Sequence, residues 1–298
     1  MDWIIFAFIA PILWAGCNVI DKFLLTKYFK NPFDYQLWIV IMDIPLVLFL
    51  LFFFSISFNY PAFILGIILG IMDVTALFIY SKAMLVEEAS RVVSLSYIQA
   101  LFVLPMAYVF FGEILKTHNY LGIILLTIGA ILISFKGMKG KKRIISPALK
   151  FVLILAFLWA SMNVLEKYTL GFIEYLSLIM WLVIGHIIGG FPLFLIKKIR
   201  RSIYIKIKNM NWVILIFSIL TVGFGYSALY FYLIAMDIGV LSLTVGISLI
   251  SPFVVFLITT TISLFFPKII KEKIDRSNIS LKFIAICLIF VGAWLIMT

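Results

Sequence analysis

Long uninterrupted runs of apolar residues dominate this chain, and each run is close to the length that crosses a bilayer as a helix. A membrane-spanning helix needs about 20 consecutive apolar residues. The runs do not alternate between apolar and polar residues, as the strands of a membrane barrel would. The pattern therefore predicts an all-α polytopic membrane protein with ten spans, numbered 1 to 10 in chain order. Their approximate ranges are 3–20, 36–56, 62–81, 92–111, 119–135, 150–166, 175–196, 212–234, 240–266 and 281–297.

The composition supports a membrane protein and removes other classes from consideration. Hydrophobic residues make up 65% of the chain and charged residues only 12%, a balance that soluble domains do not have. The net charge of +11 does not indicate a nucleic-acid partner, because the basic residues lie between the apolar runs. Cys17 and Cys287 fall within predicted spans and form no disulfide or metal-binding pattern, so no cofactor is predicted. No basic leader precedes span 1, which is expected to be a permanent helix.

A ten-residue motif occurs twice and divides the chain into two halves. Residues 13–22 read LWAGCNVIDK and residues 158–167 read LWASMNVLEK, with six of ten positions identical. Each copy places a Trp, an Asn, an acid and a Lys at the far end of an apolar run. Chance similarity between apolar helices can produce one such match, so its weight depends on further matches.

Further matches do follow, in the same order along both halves. Residues 76–80, for example, correspond to residues 228–232. The series predicts two five-helix repeats, over residues 1–139 and 140–298. Because five is an odd number, the second repeat enters from the opposite side of the membrane. The halves are therefore predicted to be inverted repeats, an architecture that recurs among secondary transporters.

The basic residues predict how the chain is oriented in the membrane. Of the 24 Lys and Arg residues, 22 lie in loops that follow odd-numbered spans, and only Lys116 and Lys167 lie elsewhere. Basic loops remain on the cytoplasmic side. The sequence therefore predicts a multi-pass protein of the cell membrane, with the odd-numbered loops in the cytoplasm and both termini outside.

Several motifs in the first half resemble a known family. The hydroxyl-rich and small-residue-rich stretch 94–105 ends in a mid-membrane proline, and Phe111, Gly112 and Glu113 form a corner after span 4. Gly122 and the Gly-Ala pair at 129–130 follow on span 5. Together with the two five-helix repeats, these features resemble the EamA-type carriers of the drug/metabolite transporter superfamily.

The second half fits this resemblance less closely. It keeps a proline at Pro252, but Phe266 and Pro267 stand where the Gly-Glu corner would be. The family resemblance implies a carrier of small solutes, often an exporter of amino acids or other metabolites. These motifs indicate a fold family and do not name a substrate.

The duplicated motif carries polar groups within predicted spans, where each polar group costs free energy and needs a reason. Trp14, Asn18 and Asp21 share one helical face, and Lys22 follows directly. The same spacing recurs at Trp159, Asn163, Glu166 and Lys167. The two copies are candidates for binding rims and gates, one at each mouth of a pathway. The alternative is that Asn joins neighbouring helices while the acids and lysines lie at the water interface.

Three further ionisable residues lie inside predicted spans, namely Asp43, Asp73 and His186. Buried carboxyl and imidazole groups can exchange protons near neutral pH, so these residues are candidates for proton coupling. The alternative is a neutral, hydrogen-bonded structural role. No partner for any of the three can be identified from the sequence.

Spans 4 and 9 are rich in hydroxyl groups, so their polar faces are expected to point inward. A water-filled cavity explains this pattern, and so does close packing of small residues. Glycines on spans 3 and 8, Gly66, Gly70, Gly223 and Gly225, are expected to allow close packing of helices. Besides the Trp and Asn residues above, the candidate cavity residues are Tyr80, Ser94, Tyr97, Gln99, Tyr226, Tyr230 and Ser248.

These features predict a secondary transporter that works by alternating access around a central cavity, as an exporter. Spans 1, 3, 4, 6, 8 and 9 are expected to line a mostly aromatic and hydroxyl-bearing cavity with little fixed charge. Such a cavity suits a neutral, zwitterionic or amphipathic metabolite such as an amino acid. The expected partners are this small molecule and the lipid bilayer, with the protein a monomer or a weak dimer.

Three alternatives remain open. A flippase for a lipid-linked intermediate predicts a lateral opening between spans, and a scaffold predicts a packed centre. An enzyme predicts a catalytic cluster, but the sequence has no ordered nucleophile and base and no phosphate-binding Gly loop. The chain is therefore not expected to be an enzyme.

Overall fold

The computed structural model describes residues 2–133, 148–265 and 279–297, and every regular element in these ranges is a helix. The first range contains α1 (Asp2–Phe23), a π-helix (Leu24–Phe29), α2 (Pro32–Phe53), α3 (Tyr60–Val86), α4 (Ala89–Ser96), α5 (Gln99–Phe111) and α6 (Thr117–Ile133). The others contain α7 (Leu149–Leu170), α8 (Tyr175–Leu195), α9 (Lys197–Lys208), α10 (Trp212–Ile238), α11 (Leu241–Ser248), α12 (Ser251–Phe265) and α13 (Ile279–Met297).

Eight stretches of the described chain are long and apolar enough to cross a membrane, and two shorter apolar helices accompany them. The predicted class of all-helical polytopic membrane protein is thereby confirmed, while ten crossings stay a prediction. The eight stretches are Trp3–Phe29, Pro32–Phe53, Tyr60–Val86, Ala89–Phe111, Leu149–Leu170, Tyr175–Leu195, Trp212–Ile238 and Leu241–Phe265. The shorter helices are Thr117–Leu132 and Ile284–Met297.

Three of the long helices begin at asparagine residues that cap them. The side chains of Asn31, Asn59 and Asn211 accept hydrogen bonds from backbone N–H groups in the first turns of α2, α3 and α10. An Asn at this position satisfies a backbone donor that the helix itself cannot pair. Proline in the first turn of α2 and α3 also favours a helix start, because proline has no N–H group that would remain unpaired there.

Spans 4 and 9 are each divided into two helices, a break that the apolar pattern does not predict. The first break separates α4 from α5 and the second separates α11 from α12. The hydroxyl groups of Ser94 and Ser96 bind backbone carbonyls one turn earlier, at 2.6 and 2.7 Å. Ser248 similarly binds the carbonyl of Val245 at 2.7 Å. Such bonds bend helices, and in both spans they lie in the turns that end the first helix.

Glycines bring two helix pairs into close contact. A Cβ atom added at Gly66 would lie 2.6 Å from the Cβ of Trp181, and one at Gly70 would overlap the backbone of α8. The pair α6 and α13 meets in the same way, since a Cβ at Gly122 would lie 2.8 Å from the carbonyl oxygen of Gly292. Small residues allow helices to approach closely in membranes, as expected for span 3. On span 8 the expectation does not hold for Gly223, where an added Cβ would meet nothing within 4 Å.

The basic stretch between spans 7 and 8 is a helix, α9, instead of the loop that its charge suggests. Ile199 and Ile203 lie one turn apart and are buried against the protein. Lys206, on the same face, forms an ion pair with Asp34 and binds the carbonyl oxygen of Phe29 at 2.8 Å. These contacts join α9 to the end of the π-helix and the start of α2.

The corner formed by Phe111, Gly112 and Glu113 has a structural explanation. Gly112 ends α5 with φ of 65°, a conformation that glycine adopts without strain. Its neighbour Glu113 accepts hydrogen bonds from the backbone N–H groups of Leu241 and Ser242, at 2.8 and 3.0 Å. A carboxylate at a helix start satisfies unpaired donors, so Glu113 caps α11 in the other half of the chain.

Candidate functional site: a central cavity

A cavity of about 240 Å³ lies between helices of both halves of the chain. Residues of α1, α2, α3, α4, α5, α7, α8 and α10 surround it. Its lining consists of Trp14, Cys17, Asn18, Asp21, Tyr35, Ile39, Asp73, Leu77, Tyr80, Val93, Tyr97, Gln99, Trp159, Met162, Asn163, Glu166, Leu182, His186, Thr221, Val222, Gly225, Tyr226, Leu229 and Tyr232.

Most of the residues predicted to face a cavity belong to this lining. They are Trp14, Asn18, Tyr80, Tyr97, Gln99, Trp159, Asn163 and Tyr226. The helices differ from the expectation, however. Spans 2 and 7 contribute Tyr35, Ile39, Leu182 and His186, whereas no residue of α11 or α12, the two parts of span 9, is among the lining residues.

Three predicted cavity residues lie elsewhere. Ser94 and Ser248 are buried, and their hydroxyl groups bond to carbonyls of their own helices, which is why they do not line the cavity. Tyr230 packs edge-on against Tyr175, with ring centroids 6.2 Å apart. For these side chains, local bonding and packing outweigh the general tendency of hydroxyl-rich faces to point inward.

The two tryptophans of the duplicated motif make reciprocal aromatic contacts. Trp14 of α1 packs edge-on against Tyr232 of α10, with centroids 4.9 Å apart. Trp159 of α7 lies against Tyr80 of α3, at 6.2 Å. Tyr80 and Tyr232 occupy corresponding positions in the sequence match between the halves. The four rings form flat apolar walls with polar edges.

The two asparagines of the motif face the same cavity. The hydroxyl group of Tyr80 donates to Oδ1 of Asn18 at 2.8 Å. The Nδ2 group of Asn163 donates to Oε1 of Gln99 at 3.4 Å. Each asparagine therefore retains hydrogen-bonding capacity beyond this one contact, since an amide offers two donors and an acceptor.

The acid and the lysine of each motif copy have different surroundings. Lys22 reaches the carbonyl oxygens of Met84 and Glu87 at the end of α3. Lys167 reaches those of Met236 and Gly239 at the end of α10, the second at 3.1 Å. A lysine at these positions satisfies carbonyls that the helix end leaves unpaired. The lysines thus cap helices, while the neighbouring acids line the cavity.

Three carboxyl groups face the cavity, whereas the sequence predicted a lining with little fixed charge. Asp21 accepts hydrogen bonds from the hydroxyl groups of Tyr35 and Thr221, both at 2.5 Å. Asp73 and Glu166 receive no hydrogen bond from any described residue, and Glu166 is only 4% exposed. Within the described ranges, no three His, Cys, Asp or Glu side chains are placed to hold a metal ion.

A buried hydrogen-bond network extends from the cavity into the contact between α2 and α8. Nδ1 of His186 lies 2.5 Å from Oδ2 of Asp43, and the hydroxyl group of Tyr226 donates to Oδ1 of Asp43 at 3.1 Å. On the other side of the ring, Nε2 of His186 lies 3.0 Å from Nε2 of Gln36. Two of the three predicted proton-coupling residues are therefore in direct contact, although 143 positions separate them in the chain.

Sequence reasoning missed several residues of the site. Tyr35 and Thr221 hold Asp21, and Gln36 completes the histidine network. Single Tyr, Thr and Gln residues within apolar runs carry no spacing signal, because hydroxyl and amide groups also serve helix packing. Their role becomes visible only when α1, α2, α8 and α10 are brought together.

Comparison with known proteins confirms the predicted family resemblance. A crystal structure of another protein aligns over 100% of this chain and 98% of its own, with a TM-score of 0.61. At 14% identity this likeness concerns the fold alone. No curated protein matches the sequence. The model of the EamA-like transporter family, part of the drug/metabolite transporter superfamily, matches residues 1–135, so this part of the chain is similar to that family of membrane transporters.

Proposed function

We propose that the protein is a secondary transporter that exports a small amphipathic metabolite by alternating access. The observation that carries this proposal is the central cavity, to which both copies of the duplicated motif contribute their Trp, Asn and acidic side chains. Transporters built from two related halves hold their substrate where the halves meet. A cavity in this place also argues against the scaffold alternative, which requires a packed centre.

The proposal includes two inverted five-helix repeats, over residues 1–139 and 140–298, with α6 and α13 as the fifth and tenth spans. Reciprocal packing supports it, because α1 packs against α10 and α12 while α7 packs against α3 and α5. The Trp–Tyr contacts follow the same rule, since the Trp of each half contacts a Tyr of the other half. Both lysine caps, at Lys22 and Lys167, likewise connect the duplicated helix to the end of a third or eighth span.

The size of the cavity limits the substrate. Its volume of about 240 Å³ is below the roughly 300–1,000 Å³ of pockets for drug-sized ligands. This volume favours a small metabolite over a nucleotide sugar or a lipid-linked oligosaccharide. The aromatic walls favour a substrate with an apolar body, and the Asn, Gln and carboxyl groups favour one with a polar end.

Transport by the purified full-length chain in proteoliposomes tests the function. Uptake and efflux of a panel of labelled metabolites are measured with and without an imposed pH gradient, against vesicles without protein. Saturable movement of one small solute class is the expected result. Movement of a fluorescent lipid between leaflets without any solute transport would instead identify the flippase alternative.

The orientation of the chain gives a direct prediction. In a C17S/C287S background, a cysteine at Lys139 is expected to react with a membrane-impermeant maleimide only after the cells are permeabilised, because basic loops face the cytoplasm. Residue 139 lies outside the described residues. A cysteine at Lys116, in an even-numbered loop, serves as the matched control and is expected to react in intact cells. The reverse pattern would contradict the predicted orientation.

The two asparagines give a second prediction. Asn18 and Asn163 lie near the ends of helices that the proposed inversion directs toward opposite membrane faces. Removing a hydrogen bond costs about 0.5–1.5 kcal/mol, which corresponds to a roughly two- to tenfold change in affinity. We expect N18A to raise the half-saturating substrate concentration on the cytoplasmic side and N163A on the external side. Equal effects on both sides would indicate that the asparagines only join helices.

A further inference from the structure

We infer that the cavity selects an organic cation, an amine on a small aromatic body, and rejects the corresponding amino acid. This inference rests on the proposed transport function and names its substrate class. The balance of charged side chains around the cavity provides the first argument. Three carboxyl groups, those of Asp21, Asp73 and Glu166, belong to the lining, whereas none of its described residues is a Lys or an Arg.

The absence of a cationic side chain from the lining has a physical reason. The lysines that follow Asn18 and Asn163 in the motif bind carbonyl oxygens at the ends of α3 and α10. Among the described lining residues, the basic one is His186, which is held against the carboxyl group of Asp43. The carboxylate of an amino acid would therefore lack a cationic partner and face three acidic groups. Like-charge placement of this kind discriminates against the wrong ligand.

Two of the three carboxyl groups are available to a ligand. Asp21 already accepts hydrogen bonds from Tyr35 and Thr221. Glu166 is only 4% exposed and faces the cavity, yet it receives no hydrogen bond from any described residue. Asp73 is half-buried, also lines the cavity and likewise receives no hydrogen bond from a described residue. A buried polar group without a partner is costly. An ammonium group supplies three donors and a positive charge, the features that a carboxyl group without a partner lacks.

The aromatic walls suit the same ligand. Trp14, Tyr232, Trp159 and Tyr80 surround the cavity in two contacting pairs, and Tyr97 and Tyr226 also belong to its lining. The faces of such rings attract cations and stack with aromatic groups. An amine on an aromatic body makes both contacts, whereas a neutral amide of the same body loses the charge interaction.

Three probes that share one ring distinguish these possibilities. Uptake of labelled tyramine, tyrosine and N-acetyltyramine is measured in proteoliposomes that contain the full-length chain. We expect saturable uptake of tyramine, with tyrosine and N-acetyltyramine transported at least tenfold less well. E166Q and D73N are expected to weaken tyramine transport at least tenfold. E174Q, which removes an exposed carboxyl group at the start of α8, is the matched control and is expected to behave as wild type.

Each result decides the inference. Saturable uptake of tyrosine or N-acetyltyramine as good as or better than that of tyramine would overturn it while leaving the transport function intact. Failure of all three probes would also overturn it, and failure of the wider metabolite panel as well would overturn the transport function. Because E166Q can fail to fold, thermal stability in detergent is measured in parallel for each variant. If folded D73N or folded E166Q transports tyramine as well as E174Q does, that carboxyl group does not bind the amine.

Discussion

Replacing Gly70 with alanine is expected to destabilise the protein strongly. A Cβ atom at this position would overlap the Leu182 carbonyl oxygen and the His186 amide nitrogen, both of which belong to the backbone of α8. Backbone atoms cannot rotate away as a flexible side chain can, so α3 and α8 must separate. Adding a methyl group to a well-packed site costs about 1–3 kcal/mol of stability. We expect the cost of G70A to lie at the upper end of this range or above it.

Thermal unfolding in detergent, followed by scanning fluorimetry, measures the effect of G70A. The matched control is G223A, in another long helix, where an added Cβ would meet nothing within 4 Å. We expect G70A to unfold at a clearly lower temperature and G223A to be unchanged or slightly more stable, because alanine is the better helix former. Equal unfolding temperatures for G70A and wild type would show that α3 and α8 do not pack as closely as described.

The parts of the fold that could be predicted are those that depend on local sequence alone. Apolar runs predict membrane helices because the bilayer requires about 20 apolar residues per crossing, whatever the neighbouring helices do. The π-helix, the two helix breaks and α9 could not be predicted in this way. The helix α9, for example, is held by the ion pair between Lys206 and Asp34, which lie 172 positions apart in the chain.

The candidate site could likewise be predicted only in part. The duplicated motif indicated Trp14, Asn18, Trp159 and Asn163, because a repeated polar group inside an apolar run stands out in the sequence. It could not indicate that its acids and lysines separate, the acids to the cavity and the lysines to helix ends. That separation depends on where the ends of α3 and α10 lie, which is a tertiary property. The pairing of Asp43 with His186 likewise appears only when α2 meets α8.

The network around His186 can accommodate two protonation states. As placed, Nε2 of the ring accepts from the amide nitrogen of Gln36, and Nδ1 donates to Asp43, which describes a neutral imidazole. The Oε1 atom of Gln36 is buried and has no hydrogen-bond partner among the described residues. Rotating the amide by half a turn would let Oε1 accept from a protonated ring. The ring nitrogens of His186 therefore both keep a hydrogen-bond partner when the ring gains a proton.

For this reason we expect D43N and H186Q to abolish accumulation driven by a pH gradient while retaining substrate exchange. Loss of either group removes the site that takes up the proton, whereas exchange of substrate for substrate needs no net proton movement. Both activities are measured in the same proteoliposomes with the substrate that the metabolite panel identifies, and D237N, at an exposed residue near the end of α10, provides the control. Leaving a buried polar group without its partner can also cost about 1–3 kcal/mol, so stability is measured alongside. If Asp43 and His186 are purely structural, D43N and H186Q would reduce accumulation and exchange equally, in proportion to the loss of folded protein.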